Sequence, residues 1–235
     1  MQEQVCTCFC IFDVAWTVYT FINSMDQFEL LAYKRGAKTV AGVDEAGRGP
    51  LAGPVVAAAV ILPPGYRNPD IKDSKQISSR RREILYDCIR EDALAVGIGV
   101  VEATVIDRVN ILRATFIAMQ DALADLSISP DFLLVDGNQR IPVSIAQKAI
   151  VKGDCLSISI AAASVMAKVS RDRIMEMYHR QFPQYSFQQN KGYGTAQHRS
   201  ALHQYGPCKI HRRSFHFGKI EKMPVNAKLD FGCHD

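Results

Sequence analysis

The feature that most restricts the fold of this chain is an unbroken apolar run, VVAAAVIL, at Val55–Leu62. Such a run, ended by Pro63-Pro64-Gly65, predicts a β-strand that is covered on both faces. A doubly covered strand needs strands beside it and a layer of structure above and below it. The chain is therefore expected to fold around a central sheet with helices on either side.

Four further apolar runs predict the other strands of this sheet. They are Thr39–Val43, Leu94–Val101, Phe132–Val135 and Ala149–Val151. Helical periodicity predicts a helix capped by Ser79, an amphipathic helix with Val109, Leu112, Phe116, Met119, Leu123 and Leu126 on one face, a long helix from about Ser157 to Arg180, and a last helix after Thr195. Three early strands followed by alternating strands and helices predict an α/β fold with a mixed sheet.

The composition is that of a globular protein, with 235 residues of which 48% are hydrophobic and 22% are charged. It excludes a collagen, a coiled coil, a multi-span membrane protein and a small secreted scaffold. No internal repeat or low-complexity linker divides residues 25–218, which we expect to form one domain, followed by a flexible tail at residues 219–235. Seven unevenly spaced cysteines favour a reducing compartment, and we expect a cytoplasmic protein.

The first 24 residues are set apart by an apolar stretch, Val5–Ile22, which contains Cys6, Cys8 and Cys10. A secretory signal would begin with basic residues, but the first cation is Lys34. Asp13 is unfavourable in a membrane anchor, and no second ligand pair follows the cysteines at zinc-site spacing. We expect residues 1–24 to be an extension outside the domain, which would begin at Met25.

Four carboxylates stand at the ends of predicted elements. Asp44 and Glu45 follow the first strand, Asp136 follows the fourth strand, and Asp154 precedes the long helix. Ligands of open α/β sheets gather at the carboxyl ends of strands, so we expect Asp44 and Asp136 to converge. Oxygen ligands without His or Cys favour Mg²⁺ or Mn²⁺ over zinc. A cap or a turn is the alternative explanation for each carboxylate by itself.

Asp44 and Glu45 cannot both reach one ion if the first strand continues through them, because successive side chains of a strand point to opposite faces. Two possibilities follow. Either the strand ends and Glu45 turns inward, or Glu45 also contributes its backbone carbonyl.

Two glycine-flanked loops and an uneven charge distribution point to a polyanionic partner. Residues 168–222 hold 11 Lys and Arg against 3 Asp and Glu, whereas residues 1–167 carry a net charge of −3. The sequence GRGP at 47–50 is neither a Walker loop nor a dinucleotide fingerprint, but it lets backbone amides approach a ligand. Tyr193 in KGYGT could stack on a nucleotide. The downstream cations that could contact phosphates are His198, His203, Lys209, His211, Arg212 and Arg213.

Taken in order, these motifs resemble bacterial type 2 ribonuclease H, or ribonuclease HII. The matching stretches, which span roughly Thr39 to Phe215, are DEAGRGP at 44–50, DSK at 73–75, DG at 136–137, GD at 153–154 with the following SISIAAASVMAKVSRD, and KGYGT at 191–195 followed by His198. The resemblance implies a ribonuclease H-like fold, in which a five-stranded mixed sheet of three antiparallel and two parallel strands is flanked by helices. A helical C-terminal appendage would follow.

The resemblance also implies an endoribonuclease that hydrolyses the RNA strand of RNA–DNA hybrids. Such an enzyme cuts 5′ of single ribonucleotides in duplex DNA and leaves 3′-hydroxyl and 5′-phosphate ends. It implies two divalent ions, Mn²⁺ or Mg²⁺, and no membrane partner; a monomer is our default expectation. By motif position, the catalytic and metal-binding residues would be Asp44, Glu45, Asp136 and Asp154, and the substrate-binding residues would be Gly47, Arg48, Gly49, Lys75 and Tyr193.

Two other classes are compatible with the same motifs. One is a catalytically silent nucleic-acid-binding module, and the other is a related nuclease of the same fold that acts on DNA. The intact set of four carboxylates argues against the first, because a binding module gains nothing from acids that face a polyanion. This chain also has Cys155 where many members of the family carry serine, and a thiol is a weaker hydrogen-bond partner.

Overall fold

A computed structural model describes residues 25–72 and 78–216. Its five strands are β1 (Val40–Ala46), β2 (Val55–Ile61), β3 (Ala95–Val101), β4 (Phe132–Asp136) and β5 (Ala146–Ile150). They form one sheet in the order β3-β2-β1-β4-β5. Strands β1 to β3 pair antiparallel, while β4 and β5 continue the sheet parallel to β1. The expected mixed sheet and its topology are confirmed.

Helices cover both faces of this sheet. They are α1 (Gln27–Lys34), α2 (Pro69–Lys72), α3 (Ser79–Asp92), α4 (Ala103–Val109), α5 (Ile111–Ala124), α6 (Ile158–Gln181), α7 (Phe187–Asn190) and α8 (Ala196–Tyr205). One core lies between the sheet and α5, and a second lies between the sheet and α6. No helix in the described ranges is long and apolar enough to cross a membrane.

Glycines in the sheet bring the helices unusually close to the strands. A Cβ atom at Gly99 on β3 would lie 1.9 Å from the carbonyl oxygen of Ala118 on α5. On the other face, a Cβ atom at Gly42 on β1 would lie 2.1 Å from the carbonyl carbon of Ser159 on α6. Both helices therefore rest directly on strand backbone, which fixes the positions of β1 and α6 relative to each other.

Helix α1, which sequence analysis did not predict, caps the start of α6. Glu29 accepts hydrogen bonds from the Ser157 hydroxyl at 2.6 Å and from the Ser159 amide at 3.0 Å. The Met25 carbonyl accepts the Ile158 amide at 2.7 Å. The first amides of a helix have no acceptor within the helix, so Glu29 and the Met25 carbonyl supply hydrogen-bond acceptors for the start of α6.

Several predicted boundaries are wrong. β5 begins at Ala146 because the pattern AQKAI is that of a half-exposed edge strand rather than an apolar run. The cap of α3 is Ser78, whose hydroxyl accepts the Arg81 amide at 3.3 Å, and not Ser79. The predicted stripe from Val109 is interrupted because Asn110 has a φ of 70° and separates α4 from α5. The long helix and the last helix after Thr195 are confirmed, and the structure shows that Ser157 caps the long helix.

The chain after α6 forms the predicted appendage around Tyr185 and Phe187, which stack with their ring centroids 5.4 Å apart. Its last described segment returns to the loop between β1 and β2, where Ala52 and His211 form an isolated antiparallel bridge. The expectations for residues 1–24, for Lys75 and for the tail after residue 218 lie outside the described residues.

Candidate active site

The first two carboxylates lie within β1, which continues to Ala46 rather than ending at Val43. Asp44 pairs with Ala58 and Glu45 with Ala57 across the sheet, so their side chains point to opposite faces. Asp44 is 6% exposed and bonds the Ser164 hydroxyl of α6, whereas Glu45 shares a groove with Phe116 of α5. The possibility that the strand ends before Glu45 is therefore wrong.

Asp136 is the last residue of β4 and lies at the same end of the sheet as Asp44. Val43 and Val135 are paired neighbours in the parallel ladder, and the two aspartates follow them directly. Asp136 Oδ1 accepts the Gly153 amide at 2.6 Å. This bond ties β4 to the 3-10 turn Gly153–Cys155, which carries the buried Asp154.

The carboxylates influence one another electrostatically. Burial raises the pKa of Asp44 well above its usual value, and the charges of Glu45 and Asp136 raise it further. Burial also raises the pKa of Glu45, against the effect of Arg48, which donates to Glu45 Oε1 at 3.1 Å. Three acids thus share one strongly negative region at the carboxyl ends of β1 and β4.

This donor set fits a hard divalent cation, because carboxylate oxygens are its preferred ligands and a cation would relieve their repulsion. In residues 25–72 and 78–216, no three His, Cys, Asp or Glu side chains are arranged as a ready-made metal cage. In this arrangement Glu45 is held by Arg48, and Asp136 is held by the Gly153 amide.

The structure brings the glycine loop and the predicted aromatic residue together. A Cβ atom at Gly49 would lie 3.8 Å from Cε1 of Tyr193, whose side chain is 47% exposed. A groove of about 310 Å³ runs between Glu45, Gly47 and Tyr193. Arg48 lies over Glu45 as an ion pair. The predicted substrate-binding residues other than Lys75 therefore border the acidic region.

Three cations on the wall of this groove were missed by sequence analysis. They are Arg82 on α3 and Lys168 and Arg171 on α6. Lys168 follows Ser164, the partner of Asp44, by four residues, and residues at that spacing share one helix face. Lys168 lies within the long helix that the sequence predicts, whereas the sequence carried no signal for Arg82.

Three of the predicted phosphate contacts are corrected by the structure. His198, His211 and Arg212 are at most 2% exposed and make internal hydrogen bonds. His198 Nδ1 bonds the Tyr193 carbonyl at 2.9 Å, and its Nε2 lies 2.9 Å from Nε2 of His211. These residues support the loop that carries Tyr193 and do not face the surface.

The fold, together with acidic residues at the carboxyl ends of adjacent strands, defines a nuclease of the ribonuclease H class. Among solved structures, ribonuclease H2 from Pyrococcus horikoshii superimposes with a TM-score of 0.65 at 28% identity, covering 78% of this chain and 97% of that one. RNase HII from Archaeoglobus fulgidus, solved in complex with PCNA, superimposes with a TM-score of 0.62 at 26% identity and covers 74% and 92%.

Sequence comparison identifies the family within the ribonuclease H class to which the chain belongs. A family model for ribonuclease HII matches residues 41–217. Ribonuclease HII of Syntrophus aciditrophicus is 69% identical over 191 residues, which cover 81% of this chain and 90% of that protein. The enzyme of Geobacter metallireducens is 55% identical, covering 86% and 95%. The chain belongs to the ribonuclease HII family, and it is thus a metal-dependent endonuclease that degrades the RNA of RNA–DNA hybrids.

Proposed function

We propose that the chain, in addition to degrading the RNA of hybrids, cuts duplex DNA on the 5′ side of a single embedded ribonucleotide. The cut would leave 3′-hydroxyl and 5′-phosphate ends. The observation that carries this proposal is the shared groove, which places the acidic region beside a glycine loop and an exposed tyrosine. An enzyme that recognises one ribonucleotide among deoxynucleotides needs contacts of this kind, because the 2′-hydroxyl is the only difference in the sugar.

We assign metal binding to Asp44, Glu45, Asp136 and Asp154, which would hold two Mn²⁺ or Mg²⁺ ions. When bound, such ions activate the attacking water and neutralise charge on the leaving 3′-oxygen. The chain's own contribution is to fix the acids. The Ser164 hydroxyl and the Glu45 amide bond Asp44, and the Gly153 amide bonds Asp136.

We assign substrate recognition to Gly47, Arg48, Gly49, Lys75 and Tyr193. Gly49 presents no side chain toward the ring of Tyr193, which leaves room for a sugar to approach the loop backbone. The exposed ring can then stack on the neighbouring deoxyribose. Lys75 would add a cation for a phosphate.

The proposal is tested with a labelled DNA duplex that contains one ribonucleotide, incubated with Mg²⁺, with Mn²⁺ or with EDTA, beside an all-DNA duplex. We expect a metal-dependent cut immediately 5′ of the ribonucleotide and none in the all-DNA duplex. Cleavage of the all-DNA duplex would point to a DNA nuclease instead. Binding of the duplex without metal-dependent cleavage would point to a silent binding module.

Asp136→Asn is the decisive variant, because the amide side chain can still accept the Gly153 amide but no longer carries charge. We expect loss of cleavage, by at least about a thousandfold, with hybrid binding retained. Asp121→Asn, at an exposed site on α5, is the matched control and should cleave normally. Cleavage by Asp136→Asn at a rate close to that of the unaltered protein would refute the assignment.

We further propose that residues 25–218 act as one catalytic domain in a cytoplasmic monomer. Cys88, Cys155 and Cys208 are free thiols, which is typical of a reducing compartment. Sedimentation of the full chain at micromolar concentration tests the monomer, and a dimer mass would refute it.

A further inference from the structure

Two arginine side chains are buried in the interior between the sheet and the appendage. Arg171 on α6 is 1% exposed, and Arg212, in the segment after α8, is 0% exposed. Within the described ranges, neither forms an ion pair; both bond backbone carbonyls instead. Burial of a charged group is unfavourable unless many hydrogen bonds compensate for lost hydration. The carbonyls that each arginine bonds therefore indicate which part of the structure it stabilises.

Arg212 donates to four carbonyls of the loop that joins β1 to β2. They are those of Gly47 at 2.5 Å, Arg48 at 2.9 Å, Gly53 at 3.0 Å and Pro54 at 3.1 Å. Arg171 donates to the carbonyls of Ala52, Pro54 and Lys191. Of the two arginines, Arg212 is therefore the one that bonds the carbonyls of the GRG sequence itself.

These bonds determine where two amides point. The peptide groups of the loop are trans, and the C=O and N–H of a trans peptide point in opposite directions. The carbonyls of Gly47 and Arg48 point inward to the guanidinium. The N–H groups of the same two peptides, which belong to Arg48 and Gly49, therefore point away from it, out of the protein interior.

The segment that carries Arg212 is itself fixed to the rest of the fold. The Arg212 amide donates to the Leu51 carbonyl at 2.9 Å, and the Gly53 amide donates to the Ile210 carbonyl at 2.8 Å. Asp107 on α4 accepts the amides of Arg213 and Ser214 at 3.0 and 2.9 Å. The backbone on both sides of Arg212 is thus fixed, so the guanidinium has a fixed position from which to bond the carbonyls of the loop.

We propose that Arg212 is a positioning residue that sets the discrimination between ribose and deoxyribose, because it orients the Arg48 and Gly49 amides toward the 2′-hydroxyl of the substrate. The inference rests on the proposed function, since it assumes that the glycine loop reads the sugar. It gives the C-terminal appendage a role in specificity, although Arg212 itself does not touch the substrate.

The test compares single-turnover cleavage of two duplexes that differ at one sugar. One contains a ribonucleotide, and the other contains a 2′-deoxy-2′-fluoro nucleotide, whose fluorine is a poor hydrogen-bond partner. The ratio of the two rate constants is independent of the fraction of active enzyme. For Arg212→Lys we expect the ratio to fall by about tenfold, since one ammonium group cannot bond all four carbonyls and hydrogen bonds to the 2′-hydroxyl weaken.

Arg171→Lys is the matched variant, because Arg171 is equally buried but does not bond the carbonyls of Gly47 and Arg48. We expect it to slow cleavage of both duplexes while preserving their ratio. Arg90→Lys, at an exposed site on α3, should change neither rate. An equal change of the ratio in the Arg212 and Arg171 variants, or an unchanged ratio in both, overturns the inference.

If Arg212→Lys does not fold, as judged by circular dichroism, Asp107→Asn decides the question. That change loosens the segment around Arg212 but leaves the guanidinium intact, so we expect the ratio to fall severalfold; an unchanged ratio overturns the inference. Failure of the unaltered protein to cut the ribonucleotide duplex would refute the proposed function and this inference together. Normal cleavage with an unchanged ratio in the variants would refute this inference alone.

Discussion

At the scale of single residues, Asp44 is where stability and function are most directly opposed. Its carboxylate is buried, and burial together with the charges of Glu45 and Asp136 raises its pKa well above the usual value. We expect Asp44→Asn to stabilise the metal-free protein, on the order of 1–2 kcal/mol, because it removes this repulsion without changing shape. The same variant should lose cleavage.

Thermal unfolding in EDTA and with added Mn²⁺ measures both effects for Asp44→Asn. The unaltered protein should melt at a higher temperature with Mn²⁺, because a ligand that binds the native state stabilises it. The variant should start from a higher melting temperature in EDTA and gain less from Mn²⁺. Asp121→Asn serves as the control for the loss of one negative charge. A variant that melts below the unaltered protein in EDTA would contradict the argument.

Tyr193 offers a second prediction about one side chain. Its exposed ring lies beside Gly49, so removal of the ring should affect reading of a single ribonucleotide most. We expect Tyr193→Ala to lower kcat/KM for a single embedded ribonucleotide by about tenfold or more, as befits a stacking contact, and to affect a long hybrid less. Tyr193→Phe keeps the ring and should keep most of the activity. Equal decreases of kcat/KM on both substrates would refute a role of Tyr193 in the recognition of a single ribonucleotide.

The sequence could identify candidate site residues from their residue type and position, but it could not reveal which other residues they contact. An acid that directly follows an apolar run is conspicuous, which is why Asp44 and Asp136 could be predicted. By contrast, His198, His211 and Arg212 were interpreted as surface cations. Their partners are carbonyls and rings from remote segments, such as Gly47 and Tyr193, and neither charge nor spacing along the chain reveals such partners.

At the scale of elements, the contact between β3 and α5 depends on glycine. Because a Cβ atom at Gly99 would lie 1.9 Å from the Ala118 carbonyl oxygen, Gly99→Ala forces the helix away from the sheet. We expect a loss of about 1–3 kcal/mol in the free energy of unfolding, the usual cost of overpacking. Urea unfolding measures it, with Val100→Ala, whose side chain is 40% exposed, as the control in the same strand. A loss no larger than that of the control would refute the argument.

Elements with strong patterns were predicted well, and weakly patterned ones were not. The buried strand β2 and the long helix α6 have continuous apolar or small-residue sequences that admit one interpretation. β5 was predicted too short because it is a half-exposed edge strand. Helix α1 was missed because it owes its place to a tertiary contact, in which Glu29 caps α6.

At the scale of the whole molecule, the interior of the appendage combines groups that must stay neutral with groups that must stay charged. His198 and His211, near the Tyr193 loop, are neutral, because burial lowers the pKa of each ring, whereas Arg171 and Arg212 are cationic. Burial, followed by the charge of Arg171, lowers the pKa of Arg212 to about 9, so it remains protonated at neutral pH. The basic excess of residues 168–222, read from the sequence as a binding face, is therefore partly internal.

The two histidines form a chain of hydrogen bonds with a single direction. The Cys208 amide donates to His211 Nδ1, so Nε2 of His211 must carry the proton and donate to Nε2 of His198. Nδ1 of His198 then donates to the Tyr193 carbonyl. A second proton on either ring would bring two N–H groups face to face at 2.9 Å. Acidification should therefore loosen the appendage and the Tyr193 loop together.

The direction in which stability changes with pH follows from the lowered pKa values of the two histidines. Burial, then the neighbouring His198, lowers the pKa of His211 from 6.5 to about 4, and burial also lowers the pKa of His198. The unfolded chain therefore binds protons first, and stability present above pH 6.5 is lost as the pH falls toward 4. For His211 the loss is on the order of 2–3 kcal/mol. The raised pKa values of Asp44 and Glu45 act in the opposite direction.

Urea unfolding at a series of pH values separates these contributions. The free energy of unfolding of His211→Gln should be lower than that of the unaltered protein at pH 7, and the difference should shrink as the pH falls toward 4, because the variant has no ring to protonate. His216→Gln, at an exposed site, should parallel the unaltered protein throughout. A difference between His211→Gln and the unaltered protein that stays constant over this range would mean that the buried pair does not control acid stability.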